Sequence, residues 1–287
     1  MKFRLPSIKN FIHCSMRRLG MIKYGNGLFD KLRISIFGAA NSFPRTVRGR
    51  VEAAEKLVSR FKPVMKGVVV NVNGTRYVLV DDESFHIVTP WFEPWMWNYL
   101  KPEEGDVFLD VGAHVGKYAL QVAKIVGEKG AVIAVEPMPE NYDALVRGVE
   151  LNGLRNVIPL NIAAWNRECD VKLFIGDVGG HNSLKYDMGL GHVEVKAKPL
   201  DAVLEELGVN RVDWIKIDVE GAEYEALQGL EKTLKENGSK LIVEVKDENK
   251  NKVLDFMEGL NYAVHQINSE YYYFKPRFCV RGRAGGC

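Results

Sequence analysis

The sequence predicts an α/β fold, a mostly parallel sheet covered by helices on both faces and preceded by a basic helical and hairpin extension. Two observations carry that prediction. From Gly105 onward, short apolar runs alternate with segments of helical periodicity, as βα units of a parallel sheet do. Two of those runs end in clusters of glycine and carboxylate, Asp110-Val-Gly-Ala-His-Val-Gly116 and Asp218-Val-Glu-Gly-Ala-Glu223. The carboxyl ends of strands in open sheets are where ligands bind.

Residues 1–66 form the basic extension, with 15 Lys and Arg against 3 Asp and Glu. Partly helical segments are expected there, interrupted by Gly20, Gly25-Asn26-Gly27 and Gly38, with a further helix near 51–61 after Pro44. Residues 67–104 hold a hairpin around Asn73-Gly74 and then an aromatic stretch, 90–100, read either as a lid over the crevice or as a packing surface. The core, 105–276, is expected to place strands near 107–111, 131–135, 157–162, 212–217 and 240–245. Helices are expected near 117–127, 139–151, 200–207, 223–236 and 248–258. Residues 263–269 and 271–275 leave room only for a tight terminal hairpin. Residues 169–195 read as an insertion with β-like pieces that shapes substrate access, and 277–287 as a glycine-rich tail.

With 46% hydrophobic and 26% charged residues among 287, the chain can bury one full α/β core. A net charge of +2 conceals a head of about +12 and a remainder of about −10. Such a head is expected to contact an anionic membrane surface, with RNA or the acidic body as less favoured partners. Four cysteines without metal-ligand or disulfide spacing fit a reducing compartment. Neither a cleavable leader nor a run of spanning length is read, so the expected location is cytoplasmic, with peripheral membrane contact through the head. A Walker loop, an HExxH motif and a GxSxG elbow are all missing from the sequence, so the two strand-end clusters are the chemical centre.

In the first cluster, an apolar strand ends in Asp110 and turns through Gly112, Ala113, His114 and Gly116 into a helix. Backbone N–H groups at that helix start can receive an anion, while Asp110 can hold a cation or hydroxyl. The dinucleotide fingerprint G-x-G-x-x-G lacks its second glycine here, which leaves S-adenosylmethionine as the expected cofactor. The next strand ends in Glu136, a carboxylate able to accept from both ribose hydroxyls.

The second cluster follows another buried strand. Together, Asp110-Val-Gly-Ala-His-Val-Gly116 and Ile215-Lys-Ile-Asp-Val-Glu-Gly-Ala-Glu223 resemble the FkbM family of class I methyltransferases, over about residues 90 to 275, with His114 where the family usually carries Asn. The resemblance implies a seven-stranded Rossmann-like sheet with an antiparallel last strand and S-adenosylmethionine as cofactor. It also implies transfer to a hydroxyl of a sugar, glycan or other small molecule. By the same resemblance Ala163 matches a position whose backbone lies near adenine, and Glu93 an acidic position ahead of the first motif.

Methyl transfer needs an acceptor held in line and its proton removed as attack develops. Asp218 is the expected base and Glu220 its companion. Repulsion from Glu220 and Glu223 would raise the Asp218 pKa, and Lys216 would oppose that. Glu223 also suits a helix-start acid that satisfies backbone N–H groups. A divalent cation on the acidic cluster is the weaker reading, and no metal ligand is assigned. Glu244 and Lys246 alternate into the crevice, and His181, Asn182 and Ser183 stand ready for a hydroxylated acceptor. Two other functions fit the same residues: an RNA methyltransferase using the basic arm, and a scaffold that binds the cofactor without turnover.

Overall fold

The computed structural model describes residues 20–42, 62–176 and 181–277. It divides the chain into two compact units, Met1–Thr89 and Pro90–Cys287. The helix expected near 51–61, the Gly179-Gly180 part of the insertion loop and the tail beyond 277 lie outside the described residues.

In the first unit, Gly25, Asn26 and Gly27 separate a short 3-10 turn, Ile22–Tyr24, from helix α1, Leu28–Ser42. Gly38 was expected to interrupt the helix but lies within it; no Cβ-sized obstacle surrounds it and the α1 backbone continues through. Strands β1 (Val69–Val72) and β2 (Thr75–Val78) form the expected hairpin, with Asn73 and Gly74 at φ +50° and +80°, the left-handed pair of a two-residue turn. Helix α2 (Asp82–Val88) starts on a reciprocal cap: Asp81 Oδ1 accepts from the Ser84 N–H at 2.7 Å, and Ser84 Oγ accepts from the Asp81 N–H at 3.1 Å.

The second unit opens with the aromatic stretch, whose only helix is α3, Met96–Tyr99. Its rings dock onto the core: Trp95 meets Tyr271 at 4.7 Å between centroids, Trp97 meets Tyr118 at 5.8 Å and Tyr99 meets Tyr273 at 6.1 Å. The core alternates β3 (Val107–Val111), α4 (Lys117–Val126), β4 (Ala131–Val135), α5 (Pro139–Asn152) and β5 (Val157–Leu160). An insertion follows: β6 (Ala163–Ala164), β7 (Cys169–Phe174) and β8 (His192–Lys198), a separate sheet in the order β6-β8-β7. Then come α6 (Leu200–Glu206), β9 (Trp214–Ile217), α7 (Glu223–Gln228), α8 (Glu231–Asn237), β10 (Lys240–Glu244), α9 (Lys250–Gly259), β11 (Tyr262–Gln266) and β12 (Tyr271–Pro276).

Seven strands pair in the order β11-β12-β10-β9-β3-β4-β5. All run parallel except β12, which is antiparallel to both neighbours. The alternation and the terminal hairpin predict a mostly parallel sheet, and the seven strands with an antiparallel last one are what the family resemblance implies. Three local differences stand beside this agreement. The third strand stops at Leu160, because Ala163 and Ala164 pair with Ala197 and Lys198 of β8 instead. The strand expected from 212 runs from Trp214 to Ile217, with the Asp213 N–H donating to the Val107 carbonyl at 2.8 Å and the Asp213 carbonyl accepting from the Lys240 N–H at 2.9 Å just ahead of it. The helix expected over 223–236 breaks at Gly229, where an added Cβ would lie 2.2 Å from the Trp165 carbonyl oxygen.

The two sheet faces differ. Leu109, Val111, Ile215, Ile217, Leu241 and Val243 belong to a continuous apolar core with α6 to α9. Strand alternation therefore turns Phe108, Asp110, Trp214, Lys216 and Ile242 to the other face. There Lys216 Nζ lies over the Tyr118 ring of α4 at 5.2 Å.

Candidate active site

Strands β3, β4, β9 and β10 are parallel, so both glycine-and-carboxylate turns emerge at one edge of the sheet. Gly112 fits them together. Its φ is +84°, and a Cβ there would stand 1.8 Å from the Asp218 carbonyl oxygen. Gly116, at φ +88°, leaves room for Leu145 of α5, whose Cδ1 would be 2.7 Å from an added Cβ. Both glycines thus have a packing reason inside the protein. The Gly112 and Ala113 N–H groups donate to the Val135 carbonyl at 2.9 and 3.0 Å, and the Gly116 N–H to the Ala113 carbonyl at 2.8 Å. The His114 N–H donates to Glu136 Oε2 at 2.7 Å. These four amides are engaged, which narrows the expected anion contact to N–H groups further into α4. His114 itself is at φ +53°, a conformation that Asn and His adopt more readily than most residues.

Asp110 is 1% exposed, and neither of its carboxylate oxygens has a hydrogen-bond partner. Burial raises it to about 6, against the pull of Lys216 and of the Ala119 amide, which faces it without an aligned hydrogen bond. Glu136 is also buried; its Oε1 accepts from the Met138 N–H at 2.9 Å and from Asn141 at 3.4 Å. Burial pushes Glu136 up to about 7, the Met138 and His114 amides opposing. Such acids fit the cofactor inferred from the sequence: the ammonium of a methionine moiety would supply the donors Asp110 lacks, and Glu136 keeps lone pairs for ribose hydroxyls.

The other two expected cofactor residues are Glu93 and Ala163. Glu93, at φ +46°, accepts from the Tyr118 hydroxyl at 2.6 Å, and the neighbouring Phe92 carbonyl accepts from Lys117 Nζ at 2.6 Å. Ala163 is buried with Leu173, Val195 and Ala197, a small core against which Met138 packs.

At the end of β9 the charges are paired. Lys216, 2% exposed, donates to Asp218 Oδ2 at 3.0 Å, and the Tyr271 hydroxyl approaches the same oxygen at 3.4 Å. Burial alone would raise Asp218, but Lys216, a hydrogen bond from Glu244 and the charge of Lys246 outweigh it and hold it down to about 2. Of the two opposing influences that the sequence places around Asp218, the attraction of Lys216 prevails over repulsion from the neighbouring acids. The raised group is Glu244: burial first, then the charge of Asp218, pushes it up to about 10. The two carboxylates titrate as a pair, Asp218 pulled down by its lysine partner and Glu244 pushed up by burial. Asp218 keeps 27% of its side chain exposed, open to an acceptor.

Glu220, at φ +48°, pairs with Lys246 at 2.8 Å, and Lys246 also reaches Glu244 at 3.3 Å. Glu223 takes the helix-start role: fully buried, it accepts from the Gly221 N–H at 2.7 Å and from Asn249 at 2.6 Å. Asp218, Glu220 and Glu244 bring one oxygen each within 4.8 Å of one another. Two lysine ammonium groups already sit on these carboxylates, so a divalent cation would meet like charge there.

The insertion reaches the same edge. Ser183 Oγ donates to the Glu220 carbonyl at 2.5 Å and accepts from the Lys185 and Tyr186 N–H groups at 3.0 and 3.1 Å. The Tyr186 ring lies where a Gly221 Cβ would be, and its hydroxyl donates to Glu248. Of the three residues expected to meet an acceptor, Ser183 is thus tied to the backbone of the second turn, and Asn182 accepts from the Gly176 N–H at 3.1 Å. Tyr118, Tyr271 and Tyr186 escaped sequence reasoning. Only Tyr118 had a local signal, following Gly116 by two residues on the first turn of α4.

Comparison with known proteins gives the family. The methyltransferase FkbM domain profile matches residues 110–264. Among curated relatives, the hexuronic acid methyltransferase AglP of Haloferax volcanii is 30% identical over 132 residues, 46% of this chain and 53% of that protein. The methyltransferase sdnD of Sordaria araneosa is 27% identical over 155 residues, 43% of this chain and 60% of that protein. The chain thus spans little more than half the length of these curated relatives. A solved FkbM methyltransferase from Methylobacillus flagellatus KT is 14% identical with a TM-score of 0.47, covering 93% of this chain and 59% of that one. With the profile matched over more than half its length, the chain belongs to the FkbM family of S-adenosylmethionine-dependent class I methyltransferases.

Proposed function

We propose that this protein methylates a hydroxyl group on a sugar, a glycan or another small hydroxylated molecule. S-adenosylmethionine supplies a sulfonium methyl group, with Asp110 toward its ammonium and Glu136 toward its ribose. The observation that carries the reading is Asp218 at the end of β9, a carboxylate that accepts from the buried Lys216 at 3.0 Å and keeps 27% of its side chain exposed. Asp218 accepts the hydrogen of the acceptor hydroxyl and orients its lone pair toward the methyl group. As the new O–C bond forms, that hydroxyl becomes strongly acidic, so even a carboxylate held down to about 2 takes its proton. Lys216 and Tyr271 keep the carboxylate in place through its Oδ2. Glu220, held by Lys246 and Ser183, lines the same edge and is the companion contact to the acceptor.

A hydroxylated sugar acceptor is supported by the name of the AglP relative, a hexuronic acid methyltransferase. The test is incubation with methyl-labelled S-adenosylmethionine and uronic-acid oligosaccharides, followed by mass spectrometry before and after mild alkali. An alkali-stable methyl ether is the expected product. An alkali-labile ester would place transfer on a carboxyl and sink the hydroxyl reading.

A further inference from the structure

Helix α1 carries an apolar stripe that its own unit leaves open. Leu28, Phe29, Leu32 and Ile36 are 83%, 81%, 54% and 40% exposed. At 3.6 residues per turn they share an arc of roughly 100°. The opposite side holds the helix down: Ile34 is buried, and Arg33 donates to the Val64 and Lys66 carbonyls at 2.7 and 2.5 Å. Asp30 accepts from the Val69 N–H at 3.3 Å, which fixes the start of the helix to β1. This anchoring sets which face looks outward. Exposed Lys31 borders the stripe. The flanking sequence is basic on both sides, with 5 Lys and Arg and no Asp or Glu in residues 1–19, and 5 against 2 in residues 43–61.

We propose that this stripe seats the protein on an anionic lipid surface, its apolar side chains entering the headgroup–acyl boundary while neighbouring Lys and Arg residues meet lipid phosphates. The combination is what an interfacial helix needs: apolar area on one face and positive charge beside it. The aliphatic members decide for lipid over RNA. Leu28, Leu32 and Ile36 gain from hydrocarbon but offer neither a stacking face nor a phosphate contact. Among the described residues no helix is long and apolar enough to cross a membrane, so the contact lies in the plane of the surface.

The experiment is co-sedimentation of the full chain with vesicles of phosphatidylcholine alone or with about a third phosphatidylglycerol, at low and high salt. The Leu28→Asp, Phe29→Asp double variant changes two exposed side chains, and thermal melting checks that it folds. The full chain is expected to bind the anionic vesicles and to release in salt, and the double variant to bind at least about tenfold more weakly. Lys31→Glu should lose less. Equal retention of the double variant would mean that charge alone, or a chain segment covering the stripe, governs the surface, and would overturn the proposal. Failure of the full chain to bind either vesicle, including a case in which it binds structured RNA instead, would overturn it as well.

Discussion

The two ends of the crevice treat buried charge in opposite ways. Asp110 and Glu136, at the ends of β3 and β4, are buried acids raised to about 6 and about 7, and Asp110 has no aligned hydrogen bond, only the nearby Ala119 amide and the charge of Lys216. Asp218, Glu220 and Glu244, at the ends of β9 and β10, are matched within 3.3 Å by Lys216 and Lys246. An uncompensated buried carboxylate destabilises the fold unless a ligand supplies its counter-charge, whereas a compensated one is set before the ligand arrives. On the proposed function, the first end binds the cofactor and the second carries the transfer.

Breaking the join between the ends should have the largest effect. Gly112→Ala forces a Cβ against the Asp218 carbonyl and strains a left-handed backbone. It should cost more than about 3 kcal/mol of stability and abolish binding and transfer together, as read by denaturant melts. Glu136→Ala acts on the binding end alone. Loss of its ribose contacts should weaken S-adenosylmethionine by about 1.5–3 kcal/mol in calorimetry, and unchanged affinity would remove Glu136 from the site.

Acid should act on the same end more gently. Asp110 and Glu136 have folded values raised above their unfolded ones, so they are protonated below about 6 and about 7. Cofactor affinity should be highest above those values and fall by at most about tenfold per pH unit for each group as pH drops through them. The sign for the ligand-free protein is opposite. Stability associated with these two groups is fully present below their unfolded pKa values and lost as pH rises through about 6 and about 7. Cofactor-induced thermal stabilisation should therefore be larger at alkaline than at acidic pH, and a flat profile would break the assignment. The smallest effect is expected from Glu223→Gln, which keeps one acceptor for Gly221 or Asn249. It should cost about 1 kcal/mol of stability with turnover near normal, and a large loss of turnover would make Glu223 part of the chemistry.

The sheet was legible because burial on both faces writes apolar runs such as Val107 to Leu109 and Ala131 to Val135, and because turns demand glycine. Asp110, Asp218 and Glu220 were legible as acids at strand ends. Which acid is charged was not. The Asp218 value depends on Lys216, which the sequence shows two residues away, and on Glu244, which is brought beside it only by the pairing of β9 with β10. Gly229 shows the same limit. The Trp165 carbonyl, 64 residues away in the chain, leaves room at this position for no side chain.

The most direct test of the division between ends is a paired measurement on Asp110→Asn and Asp218→Asn: S-adenosylmethionine affinity by calorimetry, and transfer by product mass spectrometry. Asp110→Asn should bind the cofactor at least about tenfold more weakly. Asp218→Asn should bind it within about threefold of the parent protein while transfer falls by about 10²–10⁴-fold. If Asp218→Asn loses cofactor affinity in step with transfer, or transfers at a near-normal rate, the division between a binding end and a reacting end is wrong.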